Sequence, residues 1–303
     1  MEGLILKRLT IEHLHQINVL YRKCFSDTID DAFFNWKYFS TFKDETIVIG
    51  MFDEEGLIAS GALLFEIIPK KGVFLKTLRC TDLMTHPDHR GKGASKKIAQ
   101  ALNEYISDTK LDVVYTMCSK VATKSFVKTG WKFQKEIHYY FKPRIFSLVS
   151  LYIRSKEVKY SLESISSEFI CDLYKVNHSD NEFLKFIEWR YSNPKYKYEV
   201  IASKNREEFI IYTIHNSLLF IVDFEVKGSS SLISLNKVIS KYNYRGIILL
   251  STSSNLKGIK FSWCNGYTVN KINFGPLKSL LDHNAFKTAQ KNETIYSYNY
   301  DDI

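Results

Sequence analysis

The chain has 303 residues, 45% apolar and 25% charged, and a net charge of +9, which allows one large domain or two ordinary ones with real cores. No run of about 18 apolar residues occurs, which argues against a membrane-spanning helix. Five cysteines without a Cys-x-x-Cys pair suggest neither a zinc site nor a disulfide framework.

The N-terminal stretch lacks the n-region and cleavage site of a signal peptide, so a cytoplasmic location is expected. Ile11, Leu14, Ile17, Tyr21 and Phe25 recur at helical spacing and predict a first amphipathic helix. Asp30 and Asp31 suit an N-cap and open a short second helix through Phe33, Phe34, Trp36 and Tyr38. Thr46 to Phe52 and Leu57 to Ile68 read as strands around the turn Asp53-Glu54-Glu55-Gly56. Val73 to Thr85 holds a further strand, after the turn Pro69-Lys70-Lys71-Gly72.

Next comes the most informative stretch, Leu83 to Lys97. A strand ends at Thr85, Pro87 interrupts, Gly91 and Gly93 sit in a basic turn, and a helix carries Ile98, Leu102 and Tyr105 on one face. The N–H groups of such a turn and of the first helical residues lack intrahelical partners, and the helix dipole adds positive potential there. That makes an anion site, and glycine permits close approach of a phosphate or a positive φ. Neither the Walker A spacing nor Gly-x-Gly-x-x-Gly is present. Val113 to Cys118 then reads as a buried strand, Ser125 to Gly130 as a helix ended by glycine, and Trp131 to Phe141 as a strand. The resulting order is α-α-β-β-β-α-β-α-β.

The second half repeats the first in outline. Phe34-Asn35-Trp36-Lys37-Tyr38 has a counterpart in Ile187-Glu188-Trp189-Arg190-Tyr191. Strand-like runs follow at Val200 to Ser203, Phe209 to Ile214 and Leu218 to Val226. A helix (Ser230 to Tyr242), a strand (Gly246 to Thr252), a short helix (Asn255 to Asn265) and Gly266-Tyr267 complete the parallel. The turn at Lys227 to Ser231 keeps small residues but carries no Arg-x-x-Gly-x-Gly. The expected layout is residues 1–145 with the anion site, 146–167 as connection, and 168–303 as a degenerate copy that is structural or shapes the acceptor site.

Arg90-x-x-Gly93-x-Ser95 resembles the pyrophosphate-binding signature of the GNAT acyl-CoA N-acyltransferases, with Ser95 where Gly or Ala is usual. The element order matches that family from the first helix onward. The whole resembles bacterial two-lobed GNAT proteins. The resemblance implies an α/β class with a mixed sheet, the GNAT fold in two tandem lobes, and acetyl-CoA or another acyl-CoA as co-substrate without a metal. It implies that backbone groups of Leu83, Met84 and Thr85 hold the pantetheine arm and polarise the thioester. The N–H groups of Gly91, Lys92, Gly93, Ala94, Ser95 and Lys96 would hold the pyrophosphate, with Arg90, Lys92 and Lys96 adding charge. Ser119 to Trp131 resembles the family's second motif, with Ser119 at the Asn position, Phe126 at the Tyr position and Gly130-Trp131 at Gly-Phe.

Proton handling is less determined. Asp82 is the nearest carboxylate on the strand before the turn and a candidate base, or else a structural partner of a basic residue. Ser119 is a candidate relay. His86, His89, Glu66 and His138 are further candidates. Trp36, Tyr38, Trp189 and Tyr191 either line an acceptor cleft or belong to the core. Dispersed lysines without a run of five do not mark a nucleic-acid protein, yet a positive field favours a polyphosphate such as coenzyme A. The expected partner is a small-molecule primary amine, for example an amino sugar. A protein or peptide N-acetyltransferase and a non-catalytic binding module remain alternatives.

Overall fold

The computed structural model describes residues 3–25, 29–70, 73–109, 111, 113–118, 126–143, 160–164, 167–225, 246–251 and 268–274. The chain packs as two units: Met1–Lys135 with Asn270–Asn292, and Glu136–Val269 with Glu293–Ile303. Among the described residues no helix is long and apolar enough to cross a membrane.

In the first unit the sheet runs β1 (Ile5–Arg8), β2 (Ile47–Asp53), β3 (Gly56–Lys70), β4 (Val73–Thr85), β5 (Val113–Cys118), with antiparallel pairs throughout except the parallel β4–β5. β2 is buried at six consecutive positions, the pattern of a strand covered on both faces. Helices α1 (Leu14–Phe25), α2 (Asp31–Phe34) and α3 (Ala94–Asp108) supply cover. α3 approaches the sheet over Gly61, where a Cβ would lie 2.8 Å from Ile98 Cγ2, so glycine makes room for the helix.

The structure adds one strand and alters the reading of the first helix. β1 went unread because four residues, all exposed, carry no alternation. The first helix buries Ile17 and Leu20, while Ile11 and Phe25 are 50% and 52% exposed, because Ile11 lies in a preceding 3-10 turn and Phe25 at the helix end.

The second unit repeats the plan with β7 (Tyr160–Ser164), β8 (Glu199–Ser203), β9 (Phe209–His215), β10 (Leu218–Glu225) and β11 (Gly246–Ser251). Pairs are antiparallel from β7 to β10, then parallel between β10 and β11, the same sequence of senses as in the first unit. Asn216 and Ser217 both have positive φ, as a two-residue hairpin between β9 and β10 requires. Helices α4 (Ser167–Asn177) and α5 (Asn181–Tyr191) precede β8. Tyr160–Ser164 falls in the stretch expected as connection but is a strand, the counterpart of β1.

Each unit takes a further strand from elsewhere in the sequence. β12 (Thr268–Phe274) pairs with β5 antiparallel, and β6 (Lys132–Pro143) pairs with β11 antiparallel. A local apolar pattern shows that a strand exists, but not which edge it joins. The expected helices at Ser230 to Tyr242 and Asn255 to Asn265, the turn at Lys227 to Ser231, and Gly266-Tyr267 lie outside the described residues.

Candidate functional site

The site grows from the end of β4. The β3–β4 register passes from Ala62↔Thr81 to Ser60↔Met84, so Asp82 and Leu83 together oppose Gly61 in a β-bulge. Asp82 has φ +49°, a left-handed conformation uncommon outside glycine. Among the described residues the parallel β4–β5 ladder ends at Cys80↔Thr116, whereas β5 continues against β12 from Tyr115 to Cys118. The β5-facing edge of β4 from Thr81 to Thr85 thus leaves the ladder.

Past Thr85 the chain makes a 3-10 turn at Pro87–His89 and enters α3 through two glycines in left-handed conformation, Gly91 at φ +77° and Gly93 at φ +80°. Both φ values explain the glycines, and a Cβ on Gly91 would meet nothing within 4 Å, leaving the turn open. Gly93 is the N-cap and has no side chain to cap the helix, and no acidic residue occupies the first turn. The N-terminal N–H groups of a 15-residue helix therefore face an open turn carrying exposed Arg90, Lys92 and Lys96. Ser95 is half-buried and Ala94 buried. An anion is the ligand such an arrangement favours.

The expected residues are thus brought together at one strand end and one helix start. A difference concerns Thr85, whose carbonyl accepts from Cys24 Sγ at 3.3 Å and Arg90 Nε at 3.2 Å. Arg90 braces the strand end as well as charging the turn. Cys24, on α1, was not singled out by sequence; burial pushes its thiol pKa up, with Arg90 acting the other way.

Asp82 is engaged. Lys37 Nζ lies 2.8 Å from Asp82 Oδ2, with the two side chains 2% and 9% exposed, and the Tyr38 hydroxyl donates to the same oxygen. Glu66 is held too: Arg79 Nε donates to its Oε1 at 2.9 Å and the Tyr115 hydroxyl to its Oε2. His89 Nε2 is 3.5 Å from Asp53 Oδ2, and His86 Nδ1 accepts from the Asp88 N–H at 3.4 Å. The backbone of His138 pairs opposite Ser251 in the second unit. Ser119 lies outside the described residues.

Phe126 is 2% exposed and packs edge-on against Trp131 at 5.0 Å. Trp131 Nε1 donates to Asn103 Oδ1 at 2.9 Å, and Asn103 Nδ2 donates to Thr129 O at 2.9 Å. Asn103, which no sequence pattern singled out, ties α3 to the Gly130 turn. Trp36, Tyr38, Trp189 and Tyr191 are all core residues.

The second unit holds a related cluster. The Tyr174 hydroxyl donates to Asp223 Oδ2 and lies 3.4 Å from the Tyr191 hydroxyl. Asp223 follows an irregularity in β10 between Ile221 and Asp223. Burial pushes its carboxyl up to about 7, against the opposing effects of Tyr174, the Phe224 N–H and Arg190.

Residues 6–133 match the family model described as the acetyltransferase (GNAT) domain. Among solved structures, the chain resembles a probable N-acyltransferase from Enterococcus faecalis V583, with TM-score 0.69 and 13% identity over 90% of this chain and 72% of that one. A GCN5-related N-acetyltransferase from Kribbella flavida gives TM-score 0.65 and 12% identity, covering 90% and 70%. A tandem GNAT protein from the clavulanic acid biosynthesis pathway gives 0.62 and 12%, covering 91% of this chain and all of that one. At these identities the likeness is one of fold, and it extends to the tandem arrangement. No curated protein matches the chain.

Proposed function

With residues 6–133 matching the model of the GNAT acetyltransferase domain, we propose that the chain is an acyl-CoA-dependent N-acyltransferase that moves an acetyl group from acetyl-CoA to a primary amine of a small molecule, such as an amino sugar. The observation that carries this reading is the glycine turn at the start of α3, set beside the β4 edge that has left its ladder.

The thioester supplies an activated acyl carbon, and the protein's work is to bind and orient it. The N–H groups from Gly91 to Lys96 would take the pyrophosphate, with Lys92, Lys96 and Arg90 adding charge. Backbone groups of Leu83 and Met84 would align the pantetheine arm and polarise the thioester carbonyl, a preorganised electrostatic contribution. Thr85 would contribute through its N–H, since its carbonyl already accepts from Cys24 and Arg90. These roles need backbone alone, so the serine at position 95 does not disturb them.

Neither Asp82 nor Ser119 is assigned a proton-transfer role. Asp82 Oδ2 is taken by Lys37 and Tyr38, and Phe126, buried and without a hydroxyl, cannot protonate a thiolate. That last observation favours one second reading, a module that holds acyl-CoA without turnover. To the second unit we assign no acyl-donor site, because the sequence from Lys227 to Ser231 lacks the arginine and the glycine pair.

The test is thiol release from acetyl-CoA across a panel of amino sugars, other small amines and peptides. Turnover with a small amine is the expected result. Turnover on peptides alone would overturn the acceptor class. Acetyl-CoA binding without turnover on any amine would favour the binding module.

A further inference from the structure

The two units share an element that the chemistry above does not use: a basic residue and a tyrosine, Lys37-Tyr38 and Arg190-Tyr191, directly after a buried tryptophan. The local packing repeats closely. Phe33 and Trp36 have ring centroids 5.6 Å apart at 39°, and Phe186 and Trp189 are 5.6 Å apart at 40°. A serine closes each element, Ser40 Oγ donating to Trp36 O at 2.6 Å and Ser192 Oγ to Trp189 O at 2.8 Å. In both units an aspartate sits at an irregularity of the strand that leads toward the turn, β4 or β10.

Two departures set the first unit apart. Its helix widens into a π turn over Asn35–Phe39, with one more residue between tryptophan and serine than in the second unit. Its aspartate, Asp82, is left-handed, while Asp223 is not among the described residues with positive φ. π turns and left-handed non-glycine residues are both costly, and persist where the surroundings over-determine them. Here they occur together, in the unit that carries the glycine turn. The widened turn delivers Lys37 and Tyr38 to one oxygen of Asp82.

We propose that Lys37 and Tyr38 are positioning residues for acyl transfer: by clamping the Asp82 carboxylate they hold its backbone left-handed and so fix the bulge that aims Leu83 to Thr85 at the acyl donor. A bulge places an extra residue in the strand, bends it and resets which peptide groups face the free edge. Without the clamp, an L residue at position 82 relaxes toward ordinary strand geometry, and the edge presented to the donor changes. The proposal rests on the acyl-CoA reading above.

Glycine separates backbone from carboxylate, because it takes positive φ without a clamp. The probe is acetyl-CoA, measured by calorimetric titration alongside kcat and KM. The left-handed penalty of about 1–2 kcal/mol corresponds to roughly a tenfold loss of affinity once the clamp is gone. Lys37→Met should show that loss in Kd and KM, and Lys37→Arg, which keeps a cation beside Asp82, should restore affinity to within about threefold of wild type. The decisive pair removes both buried charges together. Lys37→Met with Asp82→Gly should stay within about threefold of wild type, and Lys37→Met with Asp82→Ala should lose about tenfold.

Equal affinity in these two double variants, whether weak or strong, overturns the clamp, as does failure of the glycine variant to fold. If wild-type protein does not bind acetyl-CoA at all, the functional reading falls first and the clamp with it. That outcome is told apart because it precedes any substitution.

Discussion

Buried charge decides the behaviour of single residues here. Asp223 is buried, with its carboxyl pushed up to about 7 by desolvation, so the folded state holds a proton that the unfolded chain releases near the ordinary carboxylate value of 3.8. Its contribution to stability is full below that lower value and is lost as pH rises through about 7. Thermal melts of wild type and Asp223→Asn across pH 4 to 8 should therefore differ in slope. The variant should lose less stability on going from acid to neutral pH; identical slopes would contradict the assignment. Sequence spacing placed the aspartate on a strand but not in the core, because the groups that surround it come from α4 and α5. The pairing of Lys37 with Asp82 was hidden for the same reason. Lys37 sits among aromatics that mark a core face, and nothing local announces that Asp82, on a distant strand, will pair with it. The one available signal was the basic residue at the same place in both copies.

The elements that sequence reading found are those whose physics is local. Helix N-caps behaved as expected, with Asp30 Oδ1 accepting from the Phe33 N–H at 3.0 Å. β2, β3, β4, β8, β9 and β10 have apolar runs that identify them without any knowledge of partners. β1 and β7 are short and were missed, one being wholly exposed and the other lying in a Ser- and Lys-containing stretch. The glycine turn was legible because positive φ is a local demand. Gly93→Ala should cost about 1–2 kcal/mol in a urea melt, from the strain of alanine at φ +80°, and should weaken acetyl-CoA binding at the same time. Asn103→Ala should cost about 1–3 kcal/mol, because it leaves the Trp131 indole N–H without its acceptor and frees the Thr129 carbonyl. A melt unchanged by either substitution would contradict the geometry.

At the scale of the whole chain, two tandem copies of one fold were legible from a faint repeat, and the shared sequence of strand senses bears out that reading. The pairing of the closing strands was not legible, since β5 and β11 take theirs from β12 and β6 by tertiary choice. A consequence follows for Ile272, which pairs opposite Met117 of β5. Proline there removes a ladder hydrogen bond, and Ile272→Pro should lower the melting temperature and reduce the acetyl-CoA response of a site far away in sequence; a response equal to wild type would contradict the β5–β12 pairing. The central claim is that the turn from Arg90 to Lys96 holds the phosphates of an acyl-CoA. It is tested most directly by calorimetric titration of the full chain with acetyl-CoA, in parallel with Gly93→Trp, which fills the turn. Saturable binding by wild type, abolished in Gly93→Trp, is the expected result. No binding at millimolar acetyl-CoA, or equal binding by both proteins, would contradict it.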